Sequence, residues 1–323
     1  MRIATAGSCF AQHVGRSLRP VGFNVCDMEP PPRYASAETA SRFGYGLYSA
    51  RYGNIYTAQQ LIQLLDEAEG RVEPALGVWE GKAGRFVDAQ RPGVEPEGLD
   101  SPETVVAHRA LHLAAVRRLI ANIDLLVFTF GLTEAWIHTA SRTVYPTAPG
   151  TIAGRFDPDV FSFCNYGFMA ILRSFIQVRA ALKAHNPRIK FLVTVSPVPL
   201  TATASGQHVE LATVYSKSVL RAVCGELVAR FPDVDYFPSY EIITSTNNRG
   251  VYFEANKRNV SARGVATAMS TFMTAHGHAP AAASSDSEVK GGIKPGLRPE
   301  AAEPDAEPDT VVCEEALLEA FRK

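Results

Sequence analysis

Short apolar runs alternate with longer amphipathic segments from the first residues of the chain to about residue 275. This alternation is typical of a parallel sheet whose strands are joined by helices. The run Leu125–Phe130 is apolar almost throughout, as expected where helices cover both faces of a sheet. The sequence therefore predicts a flavodoxin-like, three-layer α/β/α fold around a mostly parallel sheet of five strands, at 3–6, 23–25, 125–130, 189–195 and 233–237.

Capping signals mark several helix starts. Thr57 precedes a helix that runs to about Glu69, and Ser101-Pro102 places a proline at the first helical position. Apolar periodicity predicts further helices at about 10–18, 163–184, 209–230 and 262–275.

Composition divides the chain into three parts. Residues 1–276 carry the apolar periodicity and form one predicted domain, in which the Gly- and Pro-rich stretch at about 70–100 is a surface insertion with a small hairpin. Residues 277–309 are rich in Ala, Pro, Ser and Glu and are predicted to be a disordered linker. Residues 310–323 form a short amphipathic helix, which either packs back on the domain or docks on a protein partner.

Charge and cysteine content narrow the class of protein. A formal net charge of -1 argues against nucleic acid or an anionic membrane as partner, and no apolar run approaches the ~20 residues of a membrane span. The five cysteines are scattered and form no CxxC pair, which argues against a disulfide framework and fits a reducing, cytoplasmic compartment. No cofactor and no metal is implied.

Ser8 stands where the first predicted strand passes into the first helix. Gly7 permits a sharp turn there, and the helix N-terminus offers backbone N–H groups that can stabilise an oxyanion beside a serine nucleophile. The structural alternative is that Ser8 only caps the helix, since serine is a favoured N-cap residue. Cys9 is either a small buried hydrophobic residue or a thiol activated by the helix terminus.

Three other predicted strands end in turn-forming or polar residues. Ligands of parallel α/β sheets bind beyond the carboxyl ends of the strands, so these ends and Ser8 are expected to line one rim. The three ends are residues 131–134, 196–199 and 238–241.

Several ordered motifs point to one family. They are residues 7–11 (GSCFA), 52–57 (YGNIYT), 130–136 (FGLTEAW), 196–201 (SPVPLT), 215–218 (YSKS) and 236–241 (YFPSYE). Over about residues 1–275 the chain resembles the GSCFA domain family, named for the first of these motifs. That family is similar in turn to SGNH-type esterases and lipases. The resemblance implies an SGNH-hydrolase-like fold and a serine esterase or O-acyltransferase acting on an O-acylated substrate, carbohydrate-linked esters included.

The resemblance also implies roles for individual residues. Ser8 corresponds to the nucleophile, and its own N–H, the Gly53 N–H and the Asn54 amide correspond to oxyanion donors. The SGNH block Gly-x-Asn-Asp corresponds to residues 131–134, so Thr133 would donate through its hydroxyl and Glu134 would orient a group of the site. On the residues alone, Gly53-Asn54 also suits a turn and Thr133-Glu134 a helix cap.

The acid–base pair departs from the SGNH pattern. SGNH enzymes carry Asp-x-x-His before the last helix, and the corresponding residues here are Asn256 and Asn259, which cannot take the serine proton. His208, which follows the strand end at 196–199, is the candidate base. His108 and His112 share a helix at i,i+4 spacing and are predicted to be a surface pair rather than zinc ligands. His138, Glu241 and Glu254 are weaker candidates. His13 is five residues from Ser8 on the same helix, about 140° around its axis, so it is expected to pack or to support the site rather than to contact Ser8.

Two functions of other classes stay open. One is a catalytically degenerate domain that binds a glycan through Tyr45, Tyr48, Tyr52, Tyr56, Trp136 and Tyr240. The other is a scaffolding domain whose C-terminal segment, residues 310–323, contacts a protein partner.

Overall fold

The computed structural model describes residues 1–278. The predicted linker beyond residue 278 and the predicted helix at 310–323 lie outside the described residues. The helices are α1 (Phe10–Leu18), α2 (Ala37–Arg42), α3 (Ala58–Ala68), α4 (Pro102–Asn122), α5 (Phe168–His185), α6 (Val209–Arg230), α7 (Ser239–Thr244) and α8 (Ala262–Ala275). The strands are β1 (Ile3–Gly7), β2 (Val78–Glu80), β3 (Phe86–Asp88), β4 (Leu125–Phe130), β5 (Glu134–His138), β6 (Val144–Tyr145), β7 (Phe161–Asn165), β8 (Lys190–Val195) and β9 (Val234–Tyr236).

The central sheet of the described residues has four parallel strands in the order β1-β4-β8-β9. Ile3 lies opposite Leu125, and Leu125 lies opposite Lys190, so the strands start level with one another. Their carboxyl ends therefore reach the same edge of the sheet, as the sequence predicts.

The predicted fifth strand is wrong in the described structure. At 23–25 only Val25 pairs with the sheet, through a single bridge to Ile3. The Val25 N–H donates to the Phe23 carbonyl at 2.9 Å, so the backbone folds locally there instead of extending along β1. The segment is joined to β1 by two backbone hydrogen bonds of 2.8 Å. The Ile3 N–H donates to the Asn24 carbonyl, and the Cys26 N–H donates to the Ile3 carbonyl.

Side chains of β4 point alternately to the two faces of the central sheet. Leu126 and Phe128 pack in the cluster that contains α3 to α6, whereas Val127 packs in the cluster that contains α1 and α8. Burying such a side chain fully stabilises the fold by about 1.5–3 kcal/mol. Helices on both faces thus hold the central strands, and with them the strand ends, in place.

A second, antiparallel sheet has the order β6-β5-β7 and follows directly after β4. The sequence prediction begins a helix at residue 163, but residues 161–165 pair with β5 and α5 begins only at Phe168. The signal for β5 is present as an alternation: Ala135 and Ile137 are buried, while Glu134, Trp136 and His138 are half-buried. Its five residues are too short to stand out from the preceding apolar run.

The predicted hairpin in the 70–100 stretch is present as β2 and β3. Its Trp79 is buried against Tyr145 and Phe161, which belong to the second sheet. One face of the insertion is thus part of a small hydrophobic core.

Buried charges join the insertion to α3 and α4. The Arg91 Nε donates to Asp88 at 2.7 Å, and Arg109 forms ion pairs with Glu67 and Asp88. Burial alone would raise the pKa of Asp88, but the charges of Arg109 and Arg91 hold it below its usual range.

His112 on α4 is fully buried, and its Nδ1 lies 2.7 Å from the Glu29 carboxylate. Burial, together with the charge of Arg91, lowers the pKa of His112 to about 3, against the opposing hydrogen bond with Glu29. His108, one turn earlier, is half-buried, with 40% of its side chain exposed. The prediction that His108 and His112 form a surface pair is therefore wrong for His112. The two imidazoles have separate carboxylate neighbours: Glu29 for His112 and Glu95 for His108.

His112 predicts a pH-dependent stability. Between about pH 7 and about pH 5 the unfolded chain protonates this imidazole and the folded chain does not, so the free energy of unfolding falls as pH falls. The contribution approaches about 1.4 kcal/mol per pH unit for one proton. Urea unfolding across this range should show a shallower pH slope for His112→Asn than for the wild type.

The matched control is His108→Asn, on the same helix and with 40% of its side chain exposed, which should keep the wild-type slope. Equal slopes for His112→Asn and the wild type would contradict the assignment.

Candidate functional site

The turn from β1 into α1 depends on Gly7. Its φ is +137°, and a β-carbon at this position would lie 2.4 Å from the Thr129 carbonyl oxygen, so no other residue fits. The close approach lets the Ser8 N–H donate to that same carbonyl at 3.1 Å. Ser8 is thereby held against the end of β4.

Ser8 does not cap α1. The N-cap residue is Cys9, no side chain caps this helix, and the Ser8 hydroxyl makes no hydrogen bond with any described residue. Ser8 is only 2% exposed, so the open pocket expected at its hydroxyl is not present in this structure. Cys9 is also buried, at 4% exposed, which agrees with the hydrophobic alternative for this residue.

Two threonine hydroxyls on the neighbouring strand end are, like the Ser8 hydroxyl, buried without a hydrogen-bond partner among the described residues. Thr129 and Thr133 are fully buried, and within residues 1–278 neither hydroxyl has a hydrogen-bond partner. Leaving a buried polar group unpaired costs about 1–3 kcal/mol, and native structures seldom do so without a reason. Three such hydroxyls lie at the ends of β1 and β4 and in the turn after β4.

Gly131, directly after β4, packs closely against Ser8. A β-carbon on Gly131 would come within 2.8 Å of the Ser8 β-carbon and 3.1 Å of the Tyr56 ring. The N–H groups of Gly131 and Leu132 both donate to the Tyr56 carbonyl, at 3.0 and 3.1 Å. The end of β4 is therefore packed between Ser8 and the loop before α3.

Asn54 is brought beside Ser8 by the same loop. The Ile55 N–H donates to the Gly7 carbonyl at 2.8 Å. The Tyr48 hydroxyl lies 2.5 Å from the Asn54 Oδ1 and 3.2 Å from the Ser8 carbonyl oxygen. Gly53 precedes Asn54 with a φ of +67° and is half-buried. The Tyr48 hydroxyl thus links Asn54 to the Ser8 backbone, with Gly53 next to Asn54 in the same loop.

Helix α6 anchors the strand end from the other side. The Ser216 hydroxyl accepts a hydrogen bond from the Thr133 N–H at 3.0 Å, and the Lys217 Nζ donates to the Gly131 carbonyl at 2.7 Å. Both side chains are buried. The sequence analysis gave these residues no role beyond a family motif. The sequence does contain a sign that Lys217 is buried. Lys217, Leu220 and Cys224 stand at i, i+3 and i+7 and therefore share one face of the helix, and the other two are apolar.

His208 is placed away from this group. It is exposed, and its Nδ1 accepts a hydrogen bond from the Glu210 N–H at 3.3 Å, which makes it the N-cap of α6. Ser216 is eight residues further along the helix, or about 12 Å at 1.5 Å per residue. No histidine of the described chain hydrogen-bonds to the Ser8 hydroxyl.

The Glu134 carboxylate also forms its hydrogen bond away from Ser8. It accepts a hydrogen bond from the Thr203 hydroxyl at 2.7 Å, in the loop after β8. Burial raises the pKa of Glu134.

Asn256 and Asn259 form a closed turn. The Asn256 side chain accepts hydrogen bonds from the N–H groups of Arg258 and Asn259 at 2.9 and 3.0 Å, and both asparagines are exposed. Arg258 between them reaches the Thr201 hydroxyl. The side chains of this loop before α8 therefore bond within the loop itself and to the loop after β8.

His13, His138 and Glu241 are likewise engaged elsewhere, and Glu254 is exposed. His13 packs edge-on against Phe10 within α1, and His138 bonds to the Ser141 hydroxyl at 2.7 Å. Glu241 pairs with Arg221. Across residues 1–278 no three His, Cys, Asp or Glu side chains come together in a way that would hold a metal ion.

A comparison with known protein families shows which family the chain belongs to. The family model described as GSCFA family matches residues 2–272. The chain belongs to the GSCFA family. The resemblance read from the motifs is confirmed at this level, and the match covers every element of the GSCFA domain from β1 through most of α8. No curated protein gives a significant match to the chain. Within the described part of the GSCFA protein, no helix is both long and apolar enough to cross a membrane.

Gly131→Ala tests the packing around Ser8. The added β-carbon must displace the Ser8 side chain or the Tyr56 ring, and such overpacking costs about 1–3 kcal/mol. Chemical denaturation should show this loss of stability.

Gly77→Ala is the control, since its β-carbon would meet only the Pro74 carbonyl oxygen at an ordinary 3.9 Å. If Gly131→Ala is as stable as Gly77→Ala, the close packing of Ser8 on the end of β4 is refuted.

Proposed function

We propose that this GSCFA domain is an SGNH-like serine esterase or O-acyltransferase in which Ser8 is the nucleophile. The observation that carries the proposal is the Ser8 hydroxyl, which is buried at a strand end without a hydrogen-bond partner among the described residues. A hydroxyl kept unpaired beside two other unpaired hydroxyls suits a site whose partner is the substrate.

The oxyanion donors in this proposal are Thr133, Asn54 and Gly53. The Thr133 hydroxyl is buried and unpaired within the described residues, and the Tyr48 hydroxyl fixes the orientation of the Asn54 amide. The Ser8 N–H is not among them, because the Thr129 carbonyl already accepts its hydrogen bond. Donors aimed at a developing oxyanion in a dry site are worth about 2.7–4 kcal/mol each.

The tight surroundings of Ser8 favour a small acyl group. Gly131 has no room for a β-carbon between Ser8 and Tyr56, and because Ser8 is only 2% exposed its surroundings must move when a substrate enters. We propose a short-chain ester of a small molecule or glycan as the substrate. Water and an acceptor hydroxyl are both consistent with this site.

The finer fold assignment belongs to the same proposal. With the Val25 bridge counted beside β1, the strands follow the order 2-1-3-4-5, which supports a flavodoxin-like arrangement of the kind implied for SGNH hydrolases. A cytoplasmic location, the domain limits and a protein partner for residues 310–323 stay predictions.

A catalytically degenerate, glycan-binding domain is the second candidate. It is favoured by the closed turn at Asn256–Asn259 and by the absence, within residues 1–278, of a histidine on the Ser8 hydroxyl. It is disfavoured by the tyrosines expected to line its cleft, since Tyr48, Tyr52 and Tyr56 are buried in the protein.

Fluorophosphonate labelling distinguishes the two candidates. The wild type should be labelled on Ser8, as located by peptide mass spectrometry, and should hydrolyse a short-chain aryl ester. Ser8→Ala should abolish the label and lower the ester turnover by about a thousandfold or more, since no other nucleophile stands in its place.

Ser196→Ala is the matched control, because Ser196 is another buried serine at a strand end and should leave both readouts unchanged. A folded wild type without a label on Ser8, or an undiminished turnover in Ser8→Ala, would refute the catalytic proposal.

A further inference from the structure

Lys217 is a buried amine that the proposed reaction has not yet used. It is 1% exposed, whereas the other lysines of the described chain, Lys82, Lys183, Lys190 and Lys257, are half-buried or exposed. Moving an ammonium group out of water costs several kcal/mol, so a lysine is seldom buried without a specific role.

The amine of Lys217 reaches the residue on which Ser8 packs. Its Nζ donates to the Gly131 carbonyl at 2.7 Å, and the α-carbon of Gly131 faces the Ser8 β-carbon closely enough to exclude a side chain. The adjacent Ser216 holds the Thr133 N–H at 3.0 Å. One turn of α6 therefore brings an amine to the strand end that also presents Ser8 and Thr133.

Neither the acid nor the histidine of the usual pair stands at its expected position before α8. Asn256 and Asn259 occupy the expected positions in the sequence, and His208 lies at the exposed start of α6. Lys217 is on that same helix but two turns deeper, where the strand ends meet.

We propose, resting on the function proposed above, that Lys217 is the general base for Ser8. In this role the amine acts in its neutral form, which keeps an N–H for the Gly131 carbonyl and offers a lone pair to the serine proton. Catalytic hydrogen bonds often shorten only when substrate is bound, so a rotation of the Ser8 side chain completes the contact in the complex.

The proton balance closes with these two residues. The Lys217 amine takes the proton of the Ser8 hydroxyl while the Ser8 oxygen bonds to the acyl carbon, and the resulting ammonium gives that proton to the departing alkoxide. In the second half, the amine takes a proton from water or from the acceptor hydroxyl as that oxygen attacks the acyl-serine. The ammonium then returns the proton to the Ser8 oxygen as it leaves.

The test compares Lys217→Arg with Lys217→Met. Arginine keeps a cation and donors for the Gly131 carbonyl but does not give up its proton, whereas methionine keeps only the length of the side chain. Both variants should lose about a hundredfold or more of the rate at which a fluorophosphonate labels Ser8, as expected when a general base is removed. Lys190→Arg and Lys190→Met, at an exposed lysine, are the controls and should keep the wild-type rate.

The outcomes separate this inference from the function on which it rests. A wild type that is not labelled at Ser8 overturns both. A labelled wild type together with a folded Lys217→Arg or Lys217→Met variant labelled within about threefold of its rate overturns the role of Lys217 alone.

If neither variant folds, the pH dependence of wild-type labelling decides. A rate that rises with pH, and does so equally in His208→Gln and His13→Gln, supports a base that is not histidine. A rate that is level with pH, or a rise that is lost in either histidine variant, overturns the assignment.

Discussion

The close approach of Gly7 to the end of β4 is the contact on which the site depends. With 2.4 Å between a would-be β-carbon and the Thr129 carbonyl oxygen, only glycine lets β1 end there. Gly131 repeats the constraint on the opposite strand, where a β-carbon would touch Ser8 at 2.8 Å. These two glycines bring the Ser8 backbone and the turn after β4 into direct contact. The serine is therefore placed by the packing of strand ends and by its backbone hydrogen bonds, and its hydroxyl takes no part.

Helix α6 completes the arrangement with polar groups that a stable core would not require. Ser216 and Lys217 hold the turn after β4 through its backbone, while the hydroxyls of Ser8, Thr129 and Thr133 stay unpaired within the described chain. Each unpaired hydroxyl costs about 1–3 kcal/mol in a protein whose whole stability is about 5–15 kcal/mol. In the function proposed above, these hydroxyls stay unpaired because their partner is the substrate.

Local patterns predicted much of this fold, and long-range contacts account for what they missed. The limits of β4, α6 and α8 follow from apolar periodicity and caps, and the structure reproduces them. The second sheet was missed because β5 and β7 are five residues each and their alternation is brief. Ser8, Asn54 and Thr133 were selected from motifs, whereas Lys217 was given no role of its own. Its importance comes from its contact with Gly131, 86 residues away, and no local pattern encodes such a contact.

The covalent intermediate on Ser8 is the most direct test of the account. Wild-type protein mixed with an activated acetyl ester and quenched in acid should carry one acetyl group on the peptide that contains Ser8, and this group should disappear as turnover is allowed to finish. Hydrolysis of the ester without any acetyl group on that peptide, or with the group on Cys9 instead, would contradict the account.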